Sequence, residues 1–275
     1  MFQAKILIRQ RRILLVVITA VSILLINLLS PLQSVTQPIQ QQNSLGVPDS
    51  FRGEIITQVH LSSAKKVIAL TFDDGPSPDI TPQVLKILKD KNITATFFMI
   101  GRNLEKFPQI GQQIQADGHA LGNHTWHHWF RQMREWIAAH EIESTAQLIY
   151  EITGVRTTLF RPPYGHKYNG LVDYALKRKD VVVLWSVDSG DWRGQDVSVE
   201  GLVEQVLKKA QPGGIILMHD SGGDNNKIVQ ALPTIIDQLS DRGYTFVSVP
   251  QLLQLQDQNA LDTVNISGDI ENCHI

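Results

Sequence analysis

The sequence predicts an α/β domain built on a parallel sheet, and two patterns in its 275 residues support this class. One is a set of seven short β-like runs, most of them apolar at nearly every position, at 67–72, 94–100, 119–123, 157–160, 181–187, 214–218 and 244–249. The other is helical periodicity between these runs. Strands that are apolar throughout and alternate with helices are typical of a parallel sheet covered on both faces. Seven strands fit either a barrel or an open doubly wound sheet, and periodicity does not choose between them.

Three segments carry the apolar stripe of an amphipathic helix. In the clearest one, apolar residues recur at i, i+3, i+4, i+7, i+8 and i+11 from Val199 to Ala210. Ser198 suits the N-cap of this helix. The other two stripes lie at 138–149 and 229–239.

The N-terminus predicts a membrane connection. Four basic residues lie within the first twelve positions, and seventeen uncharged residues follow at 13–29. That length is near the minimum for a membrane-spanning helix and long for a signal peptide. We interpret 1–30 as a signal anchor, with a cleaved signal peptide as the alternative. Because basic flanks stay in the cytoplasm, we expect the remaining chain in the periplasm or at the cell surface, or secreted after cleavage.

Composition divides the remaining chain into three parts. Residues 31–60 are rich in Gln, Ser and Pro, which is typical of a linker, 61–255 form the predicted folded domain, and 256–275 are a polar tail without a predicted function. The formal net charge of −2 gives no general attraction for nucleic acid, and no pattern indicates a protein partner. The one cysteine, Cys273, excludes an intramolecular disulfide and a cysteine-based metal site.

Polar residues that could do chemistry follow five of the predicted strands directly. The clusters read TFDDGPSP (71–78), GNHTWHHWF (122–130), FRPPYG (160–165), DSGDW (188–192) and LMHD (217–220). The carboxyl ends of parallel strands share one edge of a sheet or one mouth of a barrel. We therefore expect these five clusters to meet at one site.

Two of the clusters predict a metal site. Asp73 and Asp74 could divide their work, one as a cation ligand and the other as a base, although a single aspartate could also cap a turn. His124, His127 and His128 fall within five positions, so that two of them could share one face of a helical turn. Two histidines and one aspartate would leave a coordination position for water, as in catalytic zinc sites. Spacing alone does not say which two histidines take part.

The other three clusters supply charged and aromatic groups. Arg161 could keep a neighbouring carboxylate ionised, although a surface arginine in a proline-rich turn fits this motif almost as well. DSGDW offers two carboxylates and an aromatic ring that could face a sugar or pack the loop. His219 could act as an acid or a base if a carboxylate faces it, and the candidates are Asp188, Asp191 and Asp220.

In this order and spacing, the five clusters resemble those of the polysaccharide deacetylases, the NodB-homology group or carbohydrate esterase family 4. The resemblance covers about residues 65–250. It implies an irregular (β/α)7 barrel of parallel strands that hydrolyses acetyl groups on sugar polymers. It also implies one divalent metal ion, with zinc preferred and cobalt, nickel or manganese as alternatives.

Matching this sequence to the family's motifs implies roles for ten residues. The catalytic residues are the base Asp73, Arg161 that orients it, the acid His219, and Asp191 that tunes the acid. The metal ligands are Asp74, His124 and His128. The substrate-binding groups are the Tyr164 N–H, which would bind the oxyanion, and Trp192 and Leu217, which would form walls of the acetyl pocket.

The function implied by this resemblance is removal of acetyl groups from N-acetylglucosamine residues of a cell-wall or extracellular polysaccharide, such as peptidoglycan or a chitin-like polymer. The alternatives are an O-acetyl esterase for xylan-type polysaccharide and a non-catalytic sugar-binding module. One departure concerns the loop, because Trp129 stands where the family often has proline. Trp126, Trp129 and Phe130 could stack on sugar rings or pack the loop, and His127 is expected to be a bystander.

Overall fold

A nine-stranded sheet lies at the centre of the described structure, and its strands pair in parallel throughout. The computed structural model describes residues 46–61, 65–222 and 226–258. The strands are β1 (Ile55–Ile56), β2 (Val67–Asp73), β3 (Thr96–Met99), β4 (Ala120–Asn123), β5 (Leu159–Phe160), β6 (Val181–Val183), β7 (Val187–Asp188), β8 (Gly214–His219) and β9 (Thr245–Val247).

The sheet curls toward closure. Its strand order is β1-β6-β5-β4-β3-β2-β8-β7, with β9 also paired to β2. β6 and β7 lie near opposite ends of this order, yet only residues 184–186 join them, and that connection reaches at most about 14 Å. Leu184 N–H donates to Ile56 at one end of the sheet, and Ser186 N–H donates to Ile215 near the other. The two ends therefore approach each other, which fits the predicted irregular barrel rather than an open doubly wound sheet.

Each of the seven predicted runs contains a strand, with two departures from prediction. The run at 181–187 splits into β6 and β7, because the chain crosses there from one end of the sheet to the other. β1 is an additional strand of two residues. A strand that short has no periodicity by which the sequence could predict it.

Helices connect the strands and cover the outer face of the sheet. They are α1 (Thr81–Asp90), α2 (Gly101–Lys106), α3 (Pro108–Ala116), α4 (Glu135–Thr153), α5 (Leu171–Lys177), α6 (Val199–Lys209) and α7 (Asn226–Asp241). Residues 249–258 form a further helix. The three predicted apolar stripes lie in α4, α6 and α7, with Ala210 as the C-cap of α6, so these predictions are confirmed.

Alternation along β2 determines where its last residue points. Phe72 belongs to the core cluster formed with the covering helices, whereas Ala69 belongs to a second cluster formed with helix 249–258. Side chains of a strand alternate between the two faces of the sheet. Thr71 and Asp73 therefore continue the row of Ala69, on the inner face of the curled sheet.

The folded part extends beyond the predicted domain boundaries. Sequence analysis places 46–60 in the linker, but in the structure these residues contribute β1 to the sheet, and Phe51 and Val59 are buried. Helix 249–258 likewise runs past residue 255, where the polar tail is predicted to begin.

The predicted membrane anchor, 1–30, lies outside the described residues, together with the first half of the linker and most of the polar tail. Within the part of the chain that the structure describes, no helix is both long enough and apolar enough to cross a membrane. Membrane attachment therefore stays a prediction from the sequence.

Candidate active site

The carboxyl ends of the strands surround a cleft of about 570 Å³. Eight of the ten predicted site residues line it: Asp73, Asp74, His124, His128, Tyr164, Trp192, Leu217 and His219. The other two, Arg161 and Asp191, are buried and contact residues of the lining. All ten side chains thus belong to one site, as the strand-end argument predicts.

Asp74, His124 and His128 bring three candidate ligand atoms together. Asp74 Oδ1 lies 3.5 Å from His124 Nε2 and 3.3 Å from His128 Nε2. All three atoms lie within 4.8 Å of one another. His127 instead contacts Glu141, so the geometry selects two of the three loop histidines.

The protonation of this cluster leaves lone pairs facing one another. His124 Nδ1 donates to the Arg161 carbonyl at 2.7 Å, so Nε2 of the neutral ring carries a lone pair. Burial lowers the pKa of His124 and of His128 to about 3, so both rings are neutral near pH 7. No described residue donates a hydrogen bond to Asp74 Oδ1. Acceptors that converge without a donor fit a cation, and two imidazoles with one carboxylate are a donor set of catalytic zinc-type sites.

The electrostatics of Asp74 also fit a cation. Burial raises the pKa of its carboxyl to about 6, and the neighbouring charges of Asp73 and Asp191 add to this effect against that of His219. The negative charge is therefore unfavourable without a further positive charge nearby. A divalent cation held by Asp74, His124 and His128 would supply it.

The two candidate ligand histidines meet through a loop. Residues 124–128 are not helical, so the predicted helical geometry is wrong although the predicted proximity is present. Thr125 and His128 have φ values of 67° and 62°, in the left-handed region that costs a residue with a side chain about 1–2 kcal/mol. The His128 N–H donates to Thr125 Oγ1 at 3.0 Å, which closes the turn.

Arg161 is fully buried and binds Asp73 directly. Its Nη1 donates to Asp73 Oδ1 at 2.7 Å and to Thr71 Oγ1 at 2.8 Å. Its other nitrogens donate to the carbonyls of Val183 at 2.9 Å and Leu184 at 3.2 Å. The guanidinium therefore has a fixed position, and it fixes Oδ1 of the aspartate.

Burial has the larger effect on the protonation of Asp73. It raises the pKa of the carboxyl, and the charge and hydrogen bond of Arg161 oppose that rise, as do the charges of His219 and His128. The sequence predicts the contact with Arg161 but not this balance, because the depth of burial is a property of the fold. A carboxylate with a raised pKa is a stronger base than a solvated one.

His219 is paired with Asp191, which settles the choice among three candidate carboxylates. His219 Nδ1 donates to Asp191 Oδ1 at 2.8 Å, and the His219 N–H donates to Asp191 Oδ2 at 2.7 Å. Burial alone would lower the pKa of His219, but the hydrogen bond and charge of Asp191, with the charges of Asp73 and Asp74, raise it to about 9. The imidazole is therefore protonated at neutral pH.

The other two candidate carboxylates have structural contacts. Asp188 accepts from the Gly190 N–H at 2.8 Å and from Trp192 Nε1 at 3.2 Å. Asp220 is fully buried and accepts from the Gly75 N–H at 3.1 Å and from Thr81 Oγ1 at 2.6 Å. A Cβ on Gly75 would lie 2.3 Å from the Asp220 carboxylate, so the turn after Asp74 requires glycine.

Aromatic side chains form the rim of the cleft. The Tyr164 ring lies 4.6 Å from that of His128, and its side chain is 62% exposed. Trp192 is 57% exposed and is oriented by its bond to Asp188. Trp185 also lines the cleft and is not among the predicted site residues.

Sequence analysis also misses Thr71 and Glu141. Thr71 donates from Oγ1 to the Ile216 carbonyl at 2.6 Å and accepts from Arg161, but inside an apolar run it gives no signal. Glu141 is a buried carboxylate on α4. The sequence does carry a signal for Glu141, because it is a charged residue next to Ile142 within the apolar stripe of 138–149. A charged residue on the buried side of a helix is expected to be paired.

Comparison with known proteins identifies relatives of this chain. The sequence model of the polysaccharide deacetylase family matches residues 60–184. A peptidoglycan-N-acetylglucosamine deacetylase of Bacillus cereus is 39% identical over 192 residues, which cover 69% of this chain and 69% of the relative. A chitooligosaccharide deacetylase of Azorhizobium caulinodans is 37% identical over 199 residues, which cover 66% of this chain and 92% of the relative.

A solved structure shows the same fold. The crystal structure of the Bc1960 peptidoglycan N-acetylglucosamine deacetylase superposes with a TM-score of 0.69 at 37% identity. The match covers 73% of this chain and 92% of that one. The similarity therefore extends over most of the described residues.

The buried pair of Arg161 and Asp73 generates a stability prediction. Arg161→Met leaves the Asp73 charge buried and unpaired, which is expected to lower the free energy of unfolding by about 3–5 kcal/mol. Arg161→Met with Asp73→Asn leaves no unpaired charge, so the double variant should lose clearly less than the sum of the two single losses. Urea unfolding of the full chain measures all three values.

The exposed Arg156 offers a matched control, because it contacts the ring of Tyr150 and no carboxylate of the site. Arg156→Met should change the free energy of unfolding by no more than about 0.5 kcal/mol. Strict additivity of the Arg161 and Asp73 substitutions would mean that the two charges are not coupled.

Proposed function

The chain belongs to the polysaccharide deacetylase family, and we propose that it removes acetyl groups from N-acetylglucosamine residues of a cell-wall or extracellular polysaccharide. One observation carries this proposal: a cluster of three cation ligands lies in one cleft with an arginine-bound aspartate and an aspartate-bound histidine. Two relatives are named as deacetylases of peptidoglycan N-acetylglucosamine and of chitooligosaccharide, and these names support the N-acetyl class of substrate.

Asp74, His124 and His128 would hold one divalent cation. Two neutral imidazole nitrogens and one carboxylate oxygen suit zinc, and cobalt, nickel or manganese accept similar ligands. When bound, such an ion polarises an acyl oxygen and lowers the pKa of a coordinated water. The three residues contribute fixed positions, because the strand end and the loop that carry them are hydrogen-bonded on several sides.

Asp73 would act as the general base. Arg161 occupies its Oδ1, and Oδ2 lies 3.7 Å from His124 Nε2 on the side of the ligand cluster. Oδ2 is therefore the oxygen that could take a proton from an attacking water. The raised pKa of this carboxyl brings its basicity closer to the operating pH, which favours proton transfer.

His219 would act as the general acid. Its Nδ1 is bound to Asp191, so Nε2 is the nitrogen left to donate a proton to the leaving sugar amine. The base and the acid need opposite protonation states, and they have partners of opposite charge. Arg161 opposes protonation of Asp73, and Asp191 opposes deprotonation of His219.

The remaining predicted residues would bind the substrate. We assign the Tyr164 N–H to the oxyanion by its match to the family motif. We assign the Trp192 ring and the Leu217 side chain to the acetyl pocket, because both line the cleft. An oxyanion is stabilised most when its donors are fixed before the reaction. The left-handed backbone of Tyr164, at φ 59°, is consistent with a turn built to aim that N–H.

Phe130, in the segment after β4, would extend the cleft toward a second sugar ring. Phe130 is 61% exposed, and its ring meets those of Tyr164 at 5.2 Å and His166 at 5.1 Å in edge-on contacts. Trp129 is stacked on His127 instead. We therefore assign sugar stacking to Phe130 and loop packing to Trp129, which separates two alternatives that the sequence leaves open.

We further propose that the enzyme works outside the cytoplasm, because basic residues followed by an apolar segment at 13–29 suit a signal anchor. Peptidoglycan and other cell-wall polymers lie on that side of the membrane. Cleavage of the segment would release the domain, and proteolytic processing would appear as a shorter mature chain.

Acetate release tests the proposed reaction. The zinc-loaded chain should release acetate from chitin oligomers or peptidoglycan, more than from acetylxylan, and the chelated chain should not. Asp73→Asn should lower kcat by about 100-fold or more, the usual contribution of a general base. Preference for acetylxylan would favour the O-acetyl esterase. No acetate from any substrate would favour the sugar-binding module and contradict the proposed enzyme.

The pH dependence of kcat tests the acid. Against the effect of burial, Asp191, Asp73 and Asp74 raise the pKa of His219 to about 9. His124 and His128 beside it are neutral. Only the protonated acid is active, so activity should fall as the pH rises through the His219 pKa. Asp191→Asn removes a charge that raises this pKa, so the alkaline limb of the profile should move to lower pH by about one unit or more.

Asp196→Asn, an exposed change in the same segment, should leave the limb in place. An unmoved limb in the Asp191 variant would exclude His219 as the acid.

Chain-length dependence tests Phe130. Phe130→Ala should raise KM for a chitin pentamer by about fivefold or more, the equivalent of an aromatic contact worth about 1 kcal/mol, with little change for the dimer. Tyr150→Ala is the control, because Tyr150 is an exposed aromatic of α4 whose ring contacts Arg156, whereas Phe130 contacts Tyr164 at the cleft. An equal effect on dimer and pentamer would place Phe130 outside a second sugar site.

A further inference from the structure

Glu141 is a buried carboxylate for which the proposed reaction has no use. Its side chain is 1% exposed, and it lies on α4, outside the five strand-end clusters. It does not line the cleft. A buried carboxylate is unfavourable unless it is paired or hydrogen-bonded, so its contacts indicate what it does.

We propose that Glu141 is the positioning residue of the loop 124–128, which carries two of the three metal ligands. Because it concerns that same metal site, this inference rests on the proposed function. Glu141 acts on the ligands through the loop backbone and touches neither the ligand atoms nor the cleft.

Glu141 binds the loop at two of the three residues between the ligands. Its Oε2 accepts from the Trp126 N–H at 3.1 Å and from the His127 N–H at 2.8 Å. Its Oε1 accepts from His127 Nδ1 at 2.6 Å. All three bonds therefore hold the middle of the segment that joins His124 to His128.

The same segment is held from the other side by α2. The carbonyls of Thr125 and Trp126 accept from the N–H groups of Gly101 at 2.9 Å and Arg102 at 3.2 Å. The Trp126 N–H thus donates to Glu141 of α4, and the Trp126 carbonyl accepts from Arg102 of α2. Two helices fix the loop between them, and α4 does so with the charged group of Glu141.

Ring stacking explains His127 and Trp129, two residues that the proposed reaction does not use. His127 stacks on Trp129 with 4.1 Å between ring centroids and 4° between planes, and the Arg131 guanidinium lies 3.8 Å from the Trp129 ring. His127 therefore connects Glu141 to Trp129, the residue that replaces the proline common in the family. In this chain the aromatic stack would supply the rigidity for which a proline is otherwise suited.

The loop needs such support because its backbone is strained. Thr125 and His128 both have positive φ, and such residues persist only where surrounding contacts hold them. Without Glu141 the backbone could relax between the ligands and move the His124 and His128 nitrogens apart. Metal affinity should therefore fall, since partners that orient ligands typically contribute about 10–100-fold to it.

Zinc affinity of the full chain tests this inference. Metal-free protein is titrated with zinc against a fluorescent chelator of known affinity, and thermal unfolding is followed in parallel. Glu141→Ala should raise the zinc Kd by about tenfold or more. Glu141→Gln should stay within about threefold of the unsubstituted chain, because its amide oxygen can still accept both backbone N–H bonds. Glu151→Ala, an exposed change on the same helix, should leave the Kd unchanged.

A purely structural role would lower the melting temperature of the Glu141→Ala variant and leave its zinc Kd unchanged, and that result would overturn the inference. If this variant does not fold, His127→Ala decides, because it removes one of the three bonds and the stack. A Kd raised several-fold supports the inference, and an unchanged Kd overturns it. An unsubstituted chain that binds no zinc or other divalent cation would overturn the proposed metal site and this inference together. If the unsubstituted chain binds zinc and Glu141→Ala does not change the zinc Kd, the inference alone is overturned.

Discussion

The buried ion pair of Arg161 and Asp73 is the interaction on which the rest of the cleft depends. Burying two charges is costly, and the cost is recovered only if each remaining donor and acceptor is satisfied. Arg161 meets this condition with Thr71 and two carbonyls at the end of β6. The pair thus joins the ends of β2, β5 and β6 at the mouth of the curled sheet.

The same arginine also orients one residue of the proposed metal site. Its carbonyl accepts from His124 Nδ1, which leaves Nε2 of that ring free to face Asp74. One residue therefore orients the proposed base through its side chain and a proposed ligand through its backbone. A shift of the strand end that carries it would disturb both, which links the proposed proton transfer and the proposed metal binding to a single element of the fold.

Much of this site can be predicted from the sequence, because the carboxyl ends of parallel strands lie at one edge of the sheet. The proximity of Asp73, Asp74, Arg161 and His219 follows from that rule. The geometry of the loop does not, since it depends on positive-φ residues that no spacing pattern reveals. For Glu141 the apolar stripe of 138–149 signals burial but not its partners, which are the ring of His127 and backbone N–H groups 14 and 15 residues away. Depth of burial, which determines the pKa of Asp73, is likewise a property of the completed fold.

The central claim is a division of labour in which Asp74, His124 and His128 hold the metal while Asp73 and His219 move protons. A crystal structure of the zinc-loaded chain, with anomalous scattering measured at the zinc edge, tests it most directly. The account predicts one zinc ion coordinated by Asp74, His124 and His128, with Arg161 still bound to Asp73 and Asp191 still bound to His219. Zinc coordinated by His219, or bound away from the three ligand residues, would contradict it.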